Sequence, residues 1–401
     1  MTDLYRPDKY PHQPGWKAYQ DYLRRNHRKT DRRRLQRRRL TLGSLLVLLI
    51  AGIWGVSSMG GQNRSELPEA TRTPEPTASK TRLIAKPDVS ILLGKNHLIN
   101  LEEQPIHINF DGRPYQIETS LDLELQRYLL QRMDRVNSRY IGIVAMQPDT
   151  GRLLAMAGFN KIDPQCDPCL AADYPAASLF KIVTAAAAVE EKGYTAASHF
   201  KFNGYKHTLY KRQLTDKTNR YTNSISLKDS FAQSVNPVFG KLGALYLDRQ
   251  ALETFGEAFA FNREVDFELP WSTSYLKIDD EAYHRAEIAS GFNRQTTISP
   301  LHGAVIVSAV VNGGVPVEPT LVDRIEDESG RPVYQSQPRF LPAAVSPKTA
   351  AVLDQLMTAT VTSGTAKKTF RGHRRSKVLS RLKLGGKTGS IYNRDHDARF
   401  D

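Results

Sequence analysis

From residue 115 onward, apolar positions recur with two different periods. SLDLELQRYLLQRMDRV puts Leu121, Leu123, Leu125, Leu129, Leu130 and Met133 at helical spacing. YIGIVAMQPDTGRLLAMAGF reads instead as a β-hairpin, its two apolar runs flanking the turn residues Pro148-Asp149-Thr150-Gly151. SLFKIVTAAAAVEEKG is a nearly all-apolar helix with a stop at Gly193. In SLKDSFAQSVNPVFGKLGALY, Ser226 and Asp229 make a capping box for one helix, and Asn236-Pro237 breaks the chain before a second. SPLHGAVIVSAVVNGG is a further buried helix with a glycine stop. Strands at both ends with helices between them predict an α+β domain, an antiparallel sheet flanked by helices.

Upstream the pattern changes. TLGSLLVLLIAGIWGVSSMG, residues 41–60, has no charged residue from Leu42 to Met59 and is long enough to cross a bilayer as a helix. A buried core helix or a cleaved signal peptide are the rival readings; a forty-residue basic leader is long for a signal and favours an uncleaved anchor. Charge then fixes the orientation. Of the net +14, residues 1–40 supply +9, from thirteen Lys or Arg against four Asp. That crowding keeps the tail cytoplasmic, in contact with lipid, and puts the remainder outside the inner (cytoplasmic) membrane. A nucleic-acid partner is not expected. The expected organisation is a basic tail over 1–40, an anchor over 41–60, a Pro/Thr/Ser-rich linker over 61–90, a short juxtamembrane segment over 91–115 and a catalytic domain over 116–401.

The two cysteines, Cys166 and Cys169, lie in DPQCDPC. Outside the membrane they could pair as a loop staple, or stand as free thiols. Too few ligands lie nearby for zinc, and no metal or cofactor is called for.

Three short motifs carry candidate chemistry. Ser178-Leu179-Phe180-Lys181 sets a hydroxyl and an amine on one helical face. Lys181 can take the serine proton if burial and a second positive charge, such as Lys387, lower its pKa. Ser198–Lys201 and Ser274–Lys277 repeat the spacing, but only Ser178 opens a long apolar helix. Ser234-Val235-Asn236 offers a hydroxyl and an amide to one cavity, or merely caps the next helix. Lys387-Thr388-Gly389 suits a strand edge that binds a carboxylate, with the Ser390 N–H beside that of Ser178 as an oxyanion hole. Its bland reading is a glycine-softened edge with a solvated lysine. The run KKTFRGHRRSK over 367–377 is strongly basic and faces either solvent or an anionic polymer.

SxxK, SxN and KTG in that order resemble the active-site signature of the penicillin-binding protein and serine β-lactamase superfamily. Over residues 115–401 the chain looks like the membrane-anchored, monofunctional transpeptidases. That resemblance implies Ser178 as nucleophile, Lys181 as general base, Ser234 as proton relay and Asn236 as positioner. It implies Lys387, Thr388 and Gly389 at the terminal carboxylate, with Ser390 giving an oxyanion N–H. The implied substrates are D-Ala-D-Ala stem peptides of peptidoglycan, with β-lactams as inhibitors. A separate glycosyltransferase or a division or elongation complex is an implied partner. A D,D-carboxypeptidase, a β-lactam sensor and a truncated, non-catalytic binding protein are the alternatives. In the family fold two further strands follow KTG, so the sheet is expected to be incomplete in a chain that ends at Asp401.

Overall fold

The computed structural model describes residues 84–94 and 98–391. The expected tail and anchor and most of the expected linker lie outside the described residues. Among those described, no helix is long and apolar enough to cross a membrane.

The centre of the molecule is the helix that the alanine run predicts. It is α3 (Lys181–Lys192), buried at every position from Lys181 to Val189 and closed by Gly193 in the left-handed conformation. A helix apolar on all sides belongs in a core. The four methyl side chains of Ala185–Ala188, each with no exposed surface, leave room for neighbouring helices to approach closely. Those neighbours are α6 (Arg249–Ala258), α7 (Ala282–Ser290) and α9 (Pro347–Thr362). The expected helix after the capping box is α4 (Leu227–Ala232). Ser226 accepts from Asp229 N at 3.0 Å and donates to the Asp229 carboxylate at 2.7 Å. The break at Asn236-Pro237 opens α5 (Asn236–Lys241), and α8 (Pro300–Val311) is capped by Ser299.

A second core lies under the strands. The expected hairpin is β3 (Tyr140–Met146) paired with β4 (Leu153–Asn160). The helix before it is α2 (Leu123–Arg132), shorter than its apolar stripe suggests. Its one buried residue is polar. Gln126 donates to Leu101 O and accepts from Met156 N, both at 2.9 Å, and so ties α2 to β4 and to the chain ahead of it.

The stretch expected to be linker and juxtamembrane segment is partly built into the body. Residues Lys86–Leu93 form α1, with Val89, Leu92 and Leu93 buried, and Lys86 makes a buried ion pair with Glu318 at 2.5 Å. Downstream, β1 (Ile106–Phe110) and β2 (Arg113–Thr119) form a hairpin that continues through β9 (Val322–Asp327) to β10 (Pro332–Gln335), antiparallel throughout. Asp111 and Gly112 are both at positive φ, the two-residue turn that Asp-Gly favours. Short paired strands β5 (Tyr174–Pro175) with β8 (Thr297–Ile298), and β6 (His199–Phe202) with β7 (Asn223–Ser226), complete a mixed helical and antiparallel architecture.

Two expectations are corrected. Cys166 and Cys169 are free thiols. Cys169 points inward, its Sγ 3.3 Å from Ala157 O on β4, whereas Cys166 is only half-buried on the loop before it. Nor does the segment around Lys387 lie in a strand. Residues 382–391 carry no strand pairing among the described residues; Leu382 N donates to Leu379 O at 3.2 Å and Gly386 N to Met357 O at 3.1 Å.

Candidate active site

Ser178 sits not in α3 but on a 3₁₀ turn, Ala177–Phe180, that leads into it. Three residues per turn align positions i and i+3, so the Lys181 side chain lies directly along the Ser178 hydroxyl. The entry is strained: Ala177 has φ of +47°, a left-handed conformation unusual for a residue with a Cβ. Gly291, the left-handed cap of α7, makes the turn possible. A Cβ there would run into Ala177 O, and Ser178 N lies only 2.9 Å from the same position.

The Lys181 amine is wholly buried and has three partners. It lies 2.8 Å from Ser178 Oγ, 2.8 Å from Asn236 Oδ1, and in a short hydrogen bond to Ser290 O. The Asn236 amide is held from behind by two backbone carbonyls. The Asn236 backbone N–H donates to Lys206 O at 2.6 Å, and the side-chain Nδ2 donates to His207 O at 3.0 Å, which turns Oδ1 towards the lysine. Ser234, itself at φ of +55°, donates to Ser178 Oγ at 3.0 Å. Lys387 Nζ donates to Ser234 Oγ at 2.9 Å and to Thr388 O at 2.7 Å. Thr388 Oγ1 lies 2.6 Å from Thr365 Oγ1, and a Cβ on Gly389 would stand 3.5 Å from that of Ala177. So all three motifs converge, the third held by side chains rather than by a sheet. Ser390 is exposed at the end of that segment.

Electrostatics follow from burial. Burial holds Lys181 well below the ordinary lysine value, and the positive charge of Lys387 pushes it the same way. Burial alone brings Lys387 down to about 7. A neutral Lys181 keeps two N–H donors and one lone pair. Asn236 Oδ1 and Ser290 O take the two donors, which leaves the lone pair for the Ser178 hydroxyl proton. With Lys181 neutral, this geometry suits passage of the proton from serine to lysine.

The other copies of the spacing resolve as structure. Ser198 Oγ accepts from Thr195 N at 2.9 Å in a turn, and Ser274 is buried while Lys277 is exposed. Sequence reading missed the backbone half of the site: Ser290 O, Lys206 O and His207 O carry no side-chain signal. Gly291 and Thr365 were open to notice, Gly291 as a helix stop and Thr365 within VTSGTAKKTF.

A strained, half-buried serine beside a neutral lysine defines a serine–lysine dyad on a mixed α and antiparallel β scaffold. Residues 141–396 match the penicillin binding protein transpeptidase domain, and the chain belongs to that family. The peptidoglycan D,D-transpeptidase PbpA of Mycolicibacterium smegmatis is 26% identical over 255 residues, covering 54% of this chain and 50% of its own. Stage V sporulation protein D of Bacillus subtilis is 24% identical over 304 residues, covering 68% and 44%. The chain thus spans about half the length of the relatives it matches. Among solved structures, a ceftriaxone acyl-enzyme complex of penicillin-binding protein A from M. tuberculosis shares the fold. Its TM-score is 0.56 at 21% identity, over 68% of this chain and 66% of that one. The D,D-transpeptidase domain of a peptidoglycan glycosyltransferase from Eggerthella lenta gives 0.56 at 25% identity, over 69% and 72%.

Proposed function

We propose that the protein is a peptidoglycan D,D-transpeptidase that acylates Ser178 on D-Ala-D-Ala stem peptides and is trapped there by β-lactams. The observation that carries this reading is the Lys181 amine, buried and already saturated by two carbonyl acceptors, with its third contact on Ser178 Oγ. Ser178 Oγ attacks the penultimate carbonyl carbon while its proton passes to Lys181. Backbone N–H groups of Ser178 and Ser390 receive the charge that develops on the carbonyl oxygen. The C–N bond breaks, and the departing D-Ala amine takes a proton relayed through Ser234. An amine from a neighbouring strand then displaces Ser178 from the ester. Lys387 and Thr388 meet the substrate carboxylate, and Gly389 lets it approach. In a β-lactam the leaving nitrogen stays tethered, so the adduct persists.

The domain reading that accompanies this function is a cytoplasmic basic tail over 1–40, a single membrane span over 41–60, a tether up to α1 and an extracytoplasmic catalytic region. Supporting it are the uncharged stretch from Leu42 to Met59 and the excess of Lys and Arg before it.

The test is the intact mass of the full chain after exposure to benzylpenicillin, with Ser178→Ala alongside. One stoichiometric adduct, lost in the variant, supports the reading; a folded wild-type chain with no adduct overturns it. That second result favours the other reading, a family member that binds without acylating. Its motivating observation is the Lys387 segment, which no strand anchors among the described residues.

A further inference from the structure

Two exposed segments concentrate positive charge at the edge of the site. Residues 201–222 hold six Lys or Arg against one Asp, and residues 367–377 hold six against none. Each begins at the catalytic rim. Lys206 and His207 supply the carbonyls that hold Asn236, and Lys206 Nζ reaches Gln233 Oε1. On the opposite side Thr365 N donates to Ala232 O at 3.0 Å, two residues before Lys367. Neighbouring residues Ala232 and Gln233, immediately ahead of Ser234, therefore touch one basic segment each.

A charge run is usually just a solvated face, but the first segment is built. Gln213, 3% exposed, fixes it by donating to Asn203 O at 2.8 Å and accepting from Tyr210 N at 2.9 Å. Tyr283 OH donates to Leu209 O at 3.1 Å. Its single acid does not neutralise it, because Asp216 is drawn to the buried Lys241 at 3.1 Å. Lys211 pairs with Glu281 at 3.3 Å, whereas Arg212, Lys217 and Arg220 have no carboxylate partner among the described residues. Tyr205, Tyr210 and Tyr221 stand exposed, and the guanidinium groups of Arg212 and Arg220 lie 5.3 and 4.6 Å from the Tyr210 and Tyr221 ring centres. The second segment adds Lys367, Lys368 and Arg371, which have no carboxylate partner among the described residues, beside the half-exposed ring of Phe370.

We infer that these two segments seat an extended carboxylate-bearing glycopeptide strand, the polymer from which the reacting peptide hangs. The inference rests on the transpeptidase reading above. Exposed rings offer flat apolar faces to sugar rings, and fixed cations with no local counter-charge meet repeating carboxylates. A strand lying on both segments crosses the Ser234 turn, which brings its side peptides to Ser178.

The experiment uses the full chain in uncharged detergent, with two variants: R212Q/K217Q/R220Q and K367Q/K368Q/R371Q. All six side chains are exposed and outside the catalytic machinery. Binding is read by co-sedimentation with uncross-linked peptidoglycan strands across a salt series. Reaction with a fluorescent penicillin, too small to touch either segment, is read in parallel. Wild type binds strands with an affinity that falls steeply with salt. Each variant binds roughly tenfold more weakly or worse, while its penicillin reaction stays within about twofold of wild type. Strand binding that survives both sets of substitutions overturns the inference. So does a loss confined to phosphatidylglycerol vesicles, which makes the surface a membrane contact. A wild-type chain that binds strands but takes no penicillin sinks the catalytic reading alone.

Discussion

At the scale of single residues the site turns on the proton state of two lysines. Lys181 must be neutral to accept the serine proton, so second-order acylation falls as pH drops through its lowered pKa. Lys387 must be charged to meet a carboxylate, and in the free protein that charge is lost as pH rises through about 7. The rate of β-lactam acylation against pH is therefore expected to be bell-shaped, with the alkaline limb near pH 7 belonging to Lys387. Lys387→Arg, which keeps its charge, should move that limb upward by more than about one unit; a limb that stays in place assigns it to another group. Asn236 gives a second prediction. Asn236→Ala frees Ser290 O to remain the only carbonyl on the amine, weakens its orientation and should slow acylation by about tenfold or more while leaving the fold intact, as stopped-flow acylation and circular dichroism can show.

At the scale of elements the critical join is where α7 ends against the turn that carries Ser178. Gly291 adopts φ of +66° with no room for a Cβ. Gly291→Ala should cost at least about 1 kcal/mol by denaturant melting and should slow penicillin acylation, because relief of the overlap displaces Ser178. The α2–β4 tie makes a comparable case away from the site. Gln126→Ala strands a buried N–H and a buried carbonyl and should destabilise the protein by about 2–4 kcal/mol with acylation of the folded fraction unchanged. These elements also show what could be read in advance. The 3.6-period runs, the Ser226–Asp229 cap and the hairpin around Pro148–Gly151 are local patterns, and each forms, though α2 is shorter than its stripe and Ser178 falls on a 3₁₀ turn ahead of α3. The β1–β2 hairpin is equally local, with Ile106, Ile108 and Phe110 alternating before Asp111-Gly112, yet its first strand lies in the stretch whose position reads as juxtamembrane. The site's side chains were legible because SxxK, SxN and KTG are sequence words. Its carbonyls were not, since a backbone oxygen looks the same at every position. The strand expected at Lys387 failed for another reason: pairing depends on distant partners, which no local pattern announces.

For the whole molecule, α1 is part of the body rather than its tether. Lys86 is held by Glu318 and by the carbonyls of Asp266 and Pro319, at 2.5, 3.1 and 2.8 Å. Lys86→Met leaves Glu318 buried without its main partner and should cost about 3 kcal/mol by urea denaturation. Adding Glu318→Gln should recover most of the loss; no recovery shows that the pair is not coupled.

The alanine run of α3 has a consequence for drug resistance. Ala185–Ala188 have no exposed surface, so larger side chains there must be fitted into a packed interior at a cost in stability. On the proposed function, heritable loss of β-lactam capture has little room to arise in that helix. Selection is steered to the rim of the site, where the side chains of Lys206 and Thr365 are exposed and that of Gln233 is half-buried.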